Sequence, residues 1–579
     1  MRFDPGSDRT DKEAGGMRRR LVLNIAAFAV VLYTFFFILS ICGISVRGSH
    51  IPNEYREPAN FDLTLSFIKG INPYAAESLD GEVPGCVFQY GPLFSLLTAG
   101  VHFIIPFVDV FELHYFIAFI CILTAAVMAA AIAYEKSGTL APPACVFLLT
   151  IACTWRYGYI NAVPDTLGVT LLVLIFFIET RKDMVCREYI EAAVSVALFY
   201  TKQYFVIIAL SLFLFKFITD KRAWIKLSVA GLIMLAASVF IVNAVCPLYF
   251  TYSLLIVHGV SGQSVAATRP LFSKLAALPF SAVGLPVWTA ASEAKPLPPT
   301  GWAFEILQLK SLTGIFLFVF IGMAAGVVRA FLTKTPRFEA SRLFVIHSMV
   351  AFAALLFLGQ NDGAWLSYYL QLLMPSVIIY SFISAEKDVL DGRMTRYYKW
   401  AYMVLMLLMI MYTTYRVDSR LPYYDKSDPV MREWDKAYRY CDAYASRGDI
   451  LYRAPLGINA LANGRYLYDN GHEMAIHQRF LDEYNSSSFY QKVFPLGGKL
   501  MEQHIRYRDL MKEKVREGGY SLVLTTATDG ELVSVEDLEY GGYLRIDRLT
   551  LDTGWAAYEV DFWVPSEGDK PSFETKDWT

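Results

Sequence analysis

Apolar residues run through this chain in long blocks, and the polar residues between them are short and clustered. The first block follows Arg18, Arg19 and Arg20 and continues for about 24 residues, enough to cross a bilayer. Further blocks cover Leu113–Tyr134, Ala141–Trp155, Thr166–Glu179, Tyr189–Thr201, Tyr204–Ile218, Ala223–Cys246, Ser311–Leu332, Leu343–Leu358, Ala364–Ala385 and Trp400–Tyr415. The pattern predicts an α-helical polytopic membrane protein with about 11 spans. After Tyr415 it changes. Short alternating runs ("GRYLYDN", "YSLVLTTA", "WAAYEVDFWV") flank a charged helical run, "LMEQHIRYRDLMKEKVRE". That change predicts a small α/β domain over residues 416–579.

One more block, Tyr90–Val108, is apolar enough to span. The positive charges argue against it. If it does not cross, the N-terminus and the basic turns at Arg181–Arg187, Lys221–Lys226, Lys334–Arg342 and Lys387–Lys399 all fall on one side, as cytoplasmic loops require. If it crosses, every later basic turn faces outward. Tyr90–Val108 is therefore expected to be re-entrant or interfacial, inside a long first outer loop, residues 45–112. The expected layout is a cytoplasmic tail at 1–20, a transmembrane domain at 21–415, a second long outer loop at 247–310, and the α/β domain outside.

Composition agrees with this and excludes some functions. Of 579 residues, 55% are hydrophobic and 18% charged, and the net charge of −2 gives nucleic acid no footprint. The first apolar block is too long for a cleaved signal and reads as a retained span. Eight cysteines are scattered without metal or disulfide spacing.

The candidate chemistry lies beside the predicted outer face. In "NEYREPANFDLTLSFIKGINPY", Pro58 suits a first helical position, Glu57 the positive end of the helix dipole and Gly70 the stop. Phe61, Leu65 and Ile68 share one face, and Asp62, Ser66 and Lys69 another. The stretch is expected to be a short amphipathic helix on the membrane surface. Two readings of its acids stand side by side: a capped helix with Glu54, Glu57 and Asp62 turned to water, or a general base held at bilayer height. "TWRYGYINAVPDTLG" places Arg156 and Asp165 at another outer turn, where Asp165 reads either as a helix cap or as a second carboxylate able to orient an acceptor or share a divalent cation. "FYTKQYF" places Lys202 and Gln203 close to hydrocarbon, either snorkelling or binding a lipid phosphate. "FLGQNDGAWLSYYLQLLMPS" brings Gln360, Asn361, Tyr368 and Tyr369 to an outer junction, as an interfacial belt or a sugar pocket.

These stretches, in this order, resemble the GT-C superfamily of multi-span glycosyltransferases, in particular bacterial relatives of the protein O-mannosyltransferase and aminoarabinose transferase type. The resemblance rests on the first loop with its "VFQYGPLFSLL", on "VPDTLG", on "TKQYF" and on "GQNDGAWLSYYLQLLMP", across about residues 21–415. Familiar relatives begin the first surface helix with Asp-Glu or a lone Asp; here Glu57 takes that position and Asp62 is the nearest aspartate. Many carry arginine at the start of the second span, where this chain has His114-Tyr115.

The resemblance implies a transferase that moves a sugar from a polyprenyl-phosphate donor to a glycan, lipid or protein acceptor, with inversion, outside the cytoplasmic membrane. Glu57 would be the base with Asp62 in reserve, Asp165 would orient the acceptor, and Lys202 with Arg156 would hold the donor phosphate. Gln203, Gln360, Asn361, Tyr368 and Tyr369 would line the pocket. A divalent cation is left open. The rival readings are a polymerase or ligase using lipid-pyrophosphate carriers, which calls for more basic outer loops, and a flippase, which calls for internal repeats.

The expected topology has a direct check. A thiol introduced at Met184 should react with impermeant reagent only from the cytoplasmic side, and outward labelling would overturn the assignment.

Overall fold

The computed structural model describes residues 51–52, 57–88, 90–137, 140–156, 162–181, 183–256, 338–358, 372–380, 428–453, 455–468, 476–526, 532–553 and 557–566, and five positions of the first apolar block. Those five, Ile25, Phe28, Ala29, Leu32 and Phe36, are all helical and exposed. The blocks at 311–332 and 400–415, most of the 247–310 loop, Glu54, and Gln360, Asn361, Tyr368 and Tyr369 lie outside the described residues.

The membrane part begins with α1 (Glu57–Ile68) and α2 (Leu93–Ile104) and continues as α3 (Val110–Ser137), α4 (Ala141–Arg156), α5 (Asp165–Thr180), α6 (Arg187–Thr201), α7 (Ile207–Thr219) and α8 (Lys221–Val245). A 3-10 turn at Gln203–Val206 leads into α7, and a π-helical turn at Thr251–Ile256 follows α8. α9 (Phe338–Leu358) packs against α7, and residues 372–380 are also helical. Among the described residues, Val110–Glu135 and Lys221–Val245 are long and apolar enough to cross a membrane. α8 turns Val229, Leu232, Ile233, Phe240 and Ile241 outward, the surface expected against lipid tails. α2 has 12 residues and rises about 18 Å, well short of a hydrocarbon core of roughly 30 Å.

α3 to α8 run back and forth, so their ends collect on two sides. One side carries the basic turns at Arg181–Arg187 and Lys221–Arg222. There Lys216 of α7 is buried, ion-paired to Glu179 of α5 and 3.4 Å from Glu191 of α6, while Arg187 lies 3.8 Å from Glu179. α5 and α6 are thus tied at this end, and at their other ends they carry Asp165 and Lys202. The first loop lies on the second side. Asn72 donates to the Val245 carbonyl at 2.6 Å, and the Leu248 amide donates to the Tyr74 carbonyl at 3.0 Å.

α1 differs from the expected surface helix. Its first two turns are buried around the circumference: Glu57, Pro58, Ala59, Asn60, Phe61, Leu63 and Thr64 are all inside. The cause is packing on several sides. Ser95 of α2 donates to the Asn60 carbonyl, Thr64 Oγ1 meets His114 Nε2 of α3 at 2.7 Å, and a Cβ at Gly457 would lie 2.8 Å from the Pro58 ring. The water-facing reading therefore does not hold for Glu57. The stop does fall at Gly70, whose φ of +72° suits glycine.

The C-terminal part builds a four-stranded sheet from β1 (Ile450–Leu451), β2 (Leu522–Thr526), β3 (Tyr543–Asp552) and β4 (Ala557–Pro565), in the order β1-β2-β4-β3. β1 and β2 are parallel, and the other pairs are antiparallel. Alternation splits the strands between two cores. Leu522, Leu524, Val560, Phe562 and Val564 pack with Trp434, Cys441 and Tyr444 of α10 (Pro429–Ala445). Val523 and Trp563 pack on the opposite face with Met511 and Val515 of the long charged helix, Gly497–Arg516. "GRYLYDN" is not a strand over residues 464–468. That chain is used instead to reach the first loop, with the Tyr466 hydroxyl donating to the Pro84 carbonyl at 2.5 Å. Gln503 reaches the same loop through the Ser78 and Gly81 carbonyls.

Removing Lys216 leaves Glu179 and Glu191 facing one another in a dry interior. Lys216→Met should lower stability by about 3–5 kcal/mol, and adding Glu191→Gln should recover part of it. Thermal unfolding of the reconstituted protein measures both.

Candidate functional site

Three segments meet where the first loop touches the ends of α5 and α6. The first is α1, carrying Glu57. Its carboxylate is completely buried. Oε1 accepts the Ala162 amide at 2.9 Å and Oε2 accepts the Tyr115 hydroxyl at 2.9 Å. A carboxylate placed at a helix start could have capped its own helix. This one instead reaches 105 residues along the chain to hold the turn before α5. Tyr115 of α3 supplies the second donor.

The second segment is that turn. Asp165 opens α5 after Pro164 and is 3% exposed. It makes no cap of the ordinary kind. Both of its oxygens accept from Lys202 Nζ at 2.9 Å, and Oδ1 also accepts the Tyr204 hydroxyl at 2.9 Å.

The third segment is the break between α6 and the 3-10 turn, where Lys202 has an extended backbone. The ammonium lies 4.4 Å from the Tyr90 ring and 5.1 Å from the Tyr204 ring. Aromatic faces of this kind add about 1–2 kcal/mol to a desolvated cation. Lys202 is therefore inside the protein and paired, which sets aside the snorkelling reading. Gln203 Nε2, next in the chain to Lys202, and the Thr166 hydroxyl, next to Asp165, are buried with no hydrogen-bond partner among the described residues.

Two glycines permit these approaches. A Cβ on Gly91 would stand 1.7 Å from the Tyr200 carbonyl oxygen, so only glycine allows the 3.2 Å bond from its amide to the Thr201 carbonyl. A Cβ on Gly168 would enter the Phe205 ring at 2.1 Å. The first brings Tyr90 over Lys202. The second packs the 3-10 turn against α5 and so brings Lys202 to Asp165.

Asp62 occupies a separate position on α1. It is half-buried beside the Cys86 thiol, and burial pushes its carboxyl up to about 6 against the pull of Lys69. Tyr74, Tyr249 and Tyr252 pack edge to face in the core that also holds Cys86.

Of the residues singled out from the sequence, Glu57 holds the turn that leads to Asp165, Asp165 pairs with Lys202, and Gln203 follows it in the 3-10 turn, while Asp62 lies beside Cys86. Arg156 belongs to α4, with its backbone alone described. Sequence reasoning missed Tyr90, Tyr115, Thr166 and Tyr204. Tyr90 and Tyr204 were within the quoted motifs, but nothing in their spacing assigns a ring to a lysine. Among the described residues, no group of three or more His, Cys, Asp or Glu side chains could hold a metal ion. With lysine on both oxygens of Asp165, the donor set described does not suit a divalent cation.

No family model matches the chain, and no curated protein matches it. Among solved structures it is similar to ArnT from Cupriavidus metallidurans bound to undecaprenyl phosphate, at 12% identity and a TM-score of 0.47, covering 92% of this chain and 98% of that one. It is also similar to the Archaeoglobus fulgidus oligosaccharyltransferase in the apo form, at 12% identity and a TM-score of 0.47, covering 89% of this chain and 72% of that one. Scores below 0.5 at such identity carry no argument about chemistry.

The tight approach at Gly91 has a measurable cost. Gly91→Ala should destabilise the reconstituted protein by about 1–3 kcal/mol through overpacking against the Tyr200 carbonyl. An unchanged melting temperature would mean the segment moves freely.

Proposed function

We propose that the chain is a membrane glycosyltransferase that moves a sugar from a polyprenyl-phosphate donor to an acceptor hydroxyl or amide on the outer side of the cytoplasmic membrane. The observation that carries this reading is the buried Lys202–Asp165 pair, followed in the chain by Gln203 and Thr166, whose buried donors have no partner among the described residues. A buried lysine next to unused N–H and O–H groups suits a phosphate, which brings two charges and several acceptor oxygens. The pair lies at the end of helices embedded among apolar spans, which favours an anion carried on a lipid.

In this mechanism the donor phosphate takes the place of the Asp165 carboxylate on Lys202. Asp165 is then freed to orient the acceptor. Lys202 neutralises the charge that grows on the phosphate oxygen as the sugar departs.

The base comes from the first loop, and the geometry favours Asp62 over Glu57. Glu57 has both oxygens engaged deep in the protein, which suits a residue that fixes the loop. Asp62 is half-buried, and its proton affinity near 6 suits a base working close to neutrality. The acceptor hydroxyl gives its proton to Asp62 as its oxygen attacks the anomeric carbon. The bond from that carbon to the phosphate oxygen breaks on the opposite face. The products are the glycosylated acceptor with inverted configuration and free polyprenyl phosphate.

Reconstituted protein supplied with labelled polyprenyl-phosphate hexoses tests the scheme. Asp62→Asn should lower turnover by about 10²–10⁴. Lys202→Met should lower it by about 10²–10³. Glu57→Gln should act mainly through stability. The base must be deprotonated, so kcat/KM should rise with pH and level off above about 6. Full activity in Asp62→Asn would end this assignment of the base, and no turnover with any sugar-phosphate lipid would end the reading as a whole.

A further inference from the structure

α2 is too short to span and carries no Asp, Glu, Lys or Arg. Its two faces differ in what they touch. Phe94, Ser95, Thr98 and Ala99 are buried against α1 and α3, and Phe94 belongs to one core with Leu113, Ile117 and Cys121 of α3. The opposite face is apolar and open. Leu96 is 46% exposed, Phe103 65%, Ile104 79% and, just past the helix, Phe107 85%. Leu96, Phe103 and Ile104 open on the helix surface, and Phe107 continues the apolar exposure past its end. Water gives no reason for such exposure. The adjoining surface of α3, a helix long enough to span, is also apolar and open at Phe116 and Ile120. α2 packs directly on α3 through Phe94, Leu113 and Ile117, so a lipid surface against α3 adjoins the open side of α2.

The other end of α2 enters the site. Pro92 caps it, Gly91 bonds to the Thr201 carbonyl beside Lys202, and Tyr90 lies over the Lys202 ammonium. Between Gly91 and Phe103 the chain is a rigid rod of about 18 Å with no glycine except Gly100, which faces outward. We infer that α2 is a strut inserted in the outer leaflet: the lipid surface holds its Phe103–Phe107 end, and the strut thereby sets where Tyr90 and Gly91 stand above Lys202. The surface is a lipid-binding face with a mechanical link to the phosphate site. The link to donor binding rests on the proposed function; the insertion and the link to Tyr90–Gly91 do not.

The test uses the full chain in lipid nanodiscs. A benzophenone amino acid at Phe103, Ile104 or Phe107 should give adducts with lipid acyl chains on illumination. Adducts to protein alone, or no adducts at all, would overturn the insertion. Phe103→Ser with Phe107→Ser should quicken hydrogen exchange at least tenfold in a peptide covering Tyr90–Leu93 while sparing a peptide within the helix Gly497–Arg516. Unchanged exchange at Tyr90–Leu93, or a uniform rise in both, would overturn the strut. In turnover assays the same variant should raise KM for a long-chain polyprenyl-phosphate donor about tenfold and leave KM for a short-chain, water-soluble donor within twofold. An equal effect on both donors would overturn the link to donor binding. Absence of turnover in the unaltered protein would count against the proposed function alone, because the adducts and the exchange are read without it.

Discussion

A lysine and an aspartate that cannot reach water have to be paired, and much of this structure is arranged around that pair. Lys202 and Asp165 meet where two short helices end amid apolar spans, and each would be costly there without the other. Pairing them requires α5 and α6 to lie close, and the glycine at position 168 lets the Phe205 ring through. It requires the turn before α5 to be held, which the Glu57 carboxylate does through the Ala162 amide. It is helped by a roof, which Tyr90 supplies because Gly91 can approach α6. The far ends of the same helices are tied through Lys216, so the pair is held from both sides of the bundle.

The hydropathy of the chain announces most of the helices. It also shows, through the positions of the basic turns, that one apolar block need not cross, and a helix of 12 residues stands there. Asp165 could be read as a helix opener and Lys202 as a charge near hydrocarbon. Their mutual contact could not be read, because 37 residues separate them and no local periodicity reports a tertiary ion pair. The same holds for Glu57. Its position at a helix start is evident from Pro58, but its burial follows from packing by α2, α3 and the C-terminal part together, and all three are distant in sequence.

In the sheet, β2 and β4 were legible as short apolar β-like runs, and each buries residues on both faces. β1 is only two residues long, and β3 carries charged residues and a bulge between Arg545 and Asp547, so neither presents a clean period. "GRYLYDN" alternates as a strand does, yet Tyr466 serves the first loop and Tyr468 packs on the helix Gly497–Arg516. Alternation reports that one set of side chains finds partners; it does not report that the partners belong to a sheet.

The contacts between the first loop and the C-terminal part also bear on how the protein is made. Pro84 and Tyr466, joined by a hydrogen bond, are 382 residues apart. At about 5–20 residues per second, a ribosome takes on the order of 20–80 s to travel between them. During that interval the first loop has already emerged, with the ring of Pro58 and the carbonyls of Ser78, Gly81 and Pro84 lacking their eventual cover. The wall of the site is thus among the first parts of the chain to be synthesised and among the last to be finished, and a nascent chain cannot complete it before its C-terminal part has been delivered to the same side of the membrane.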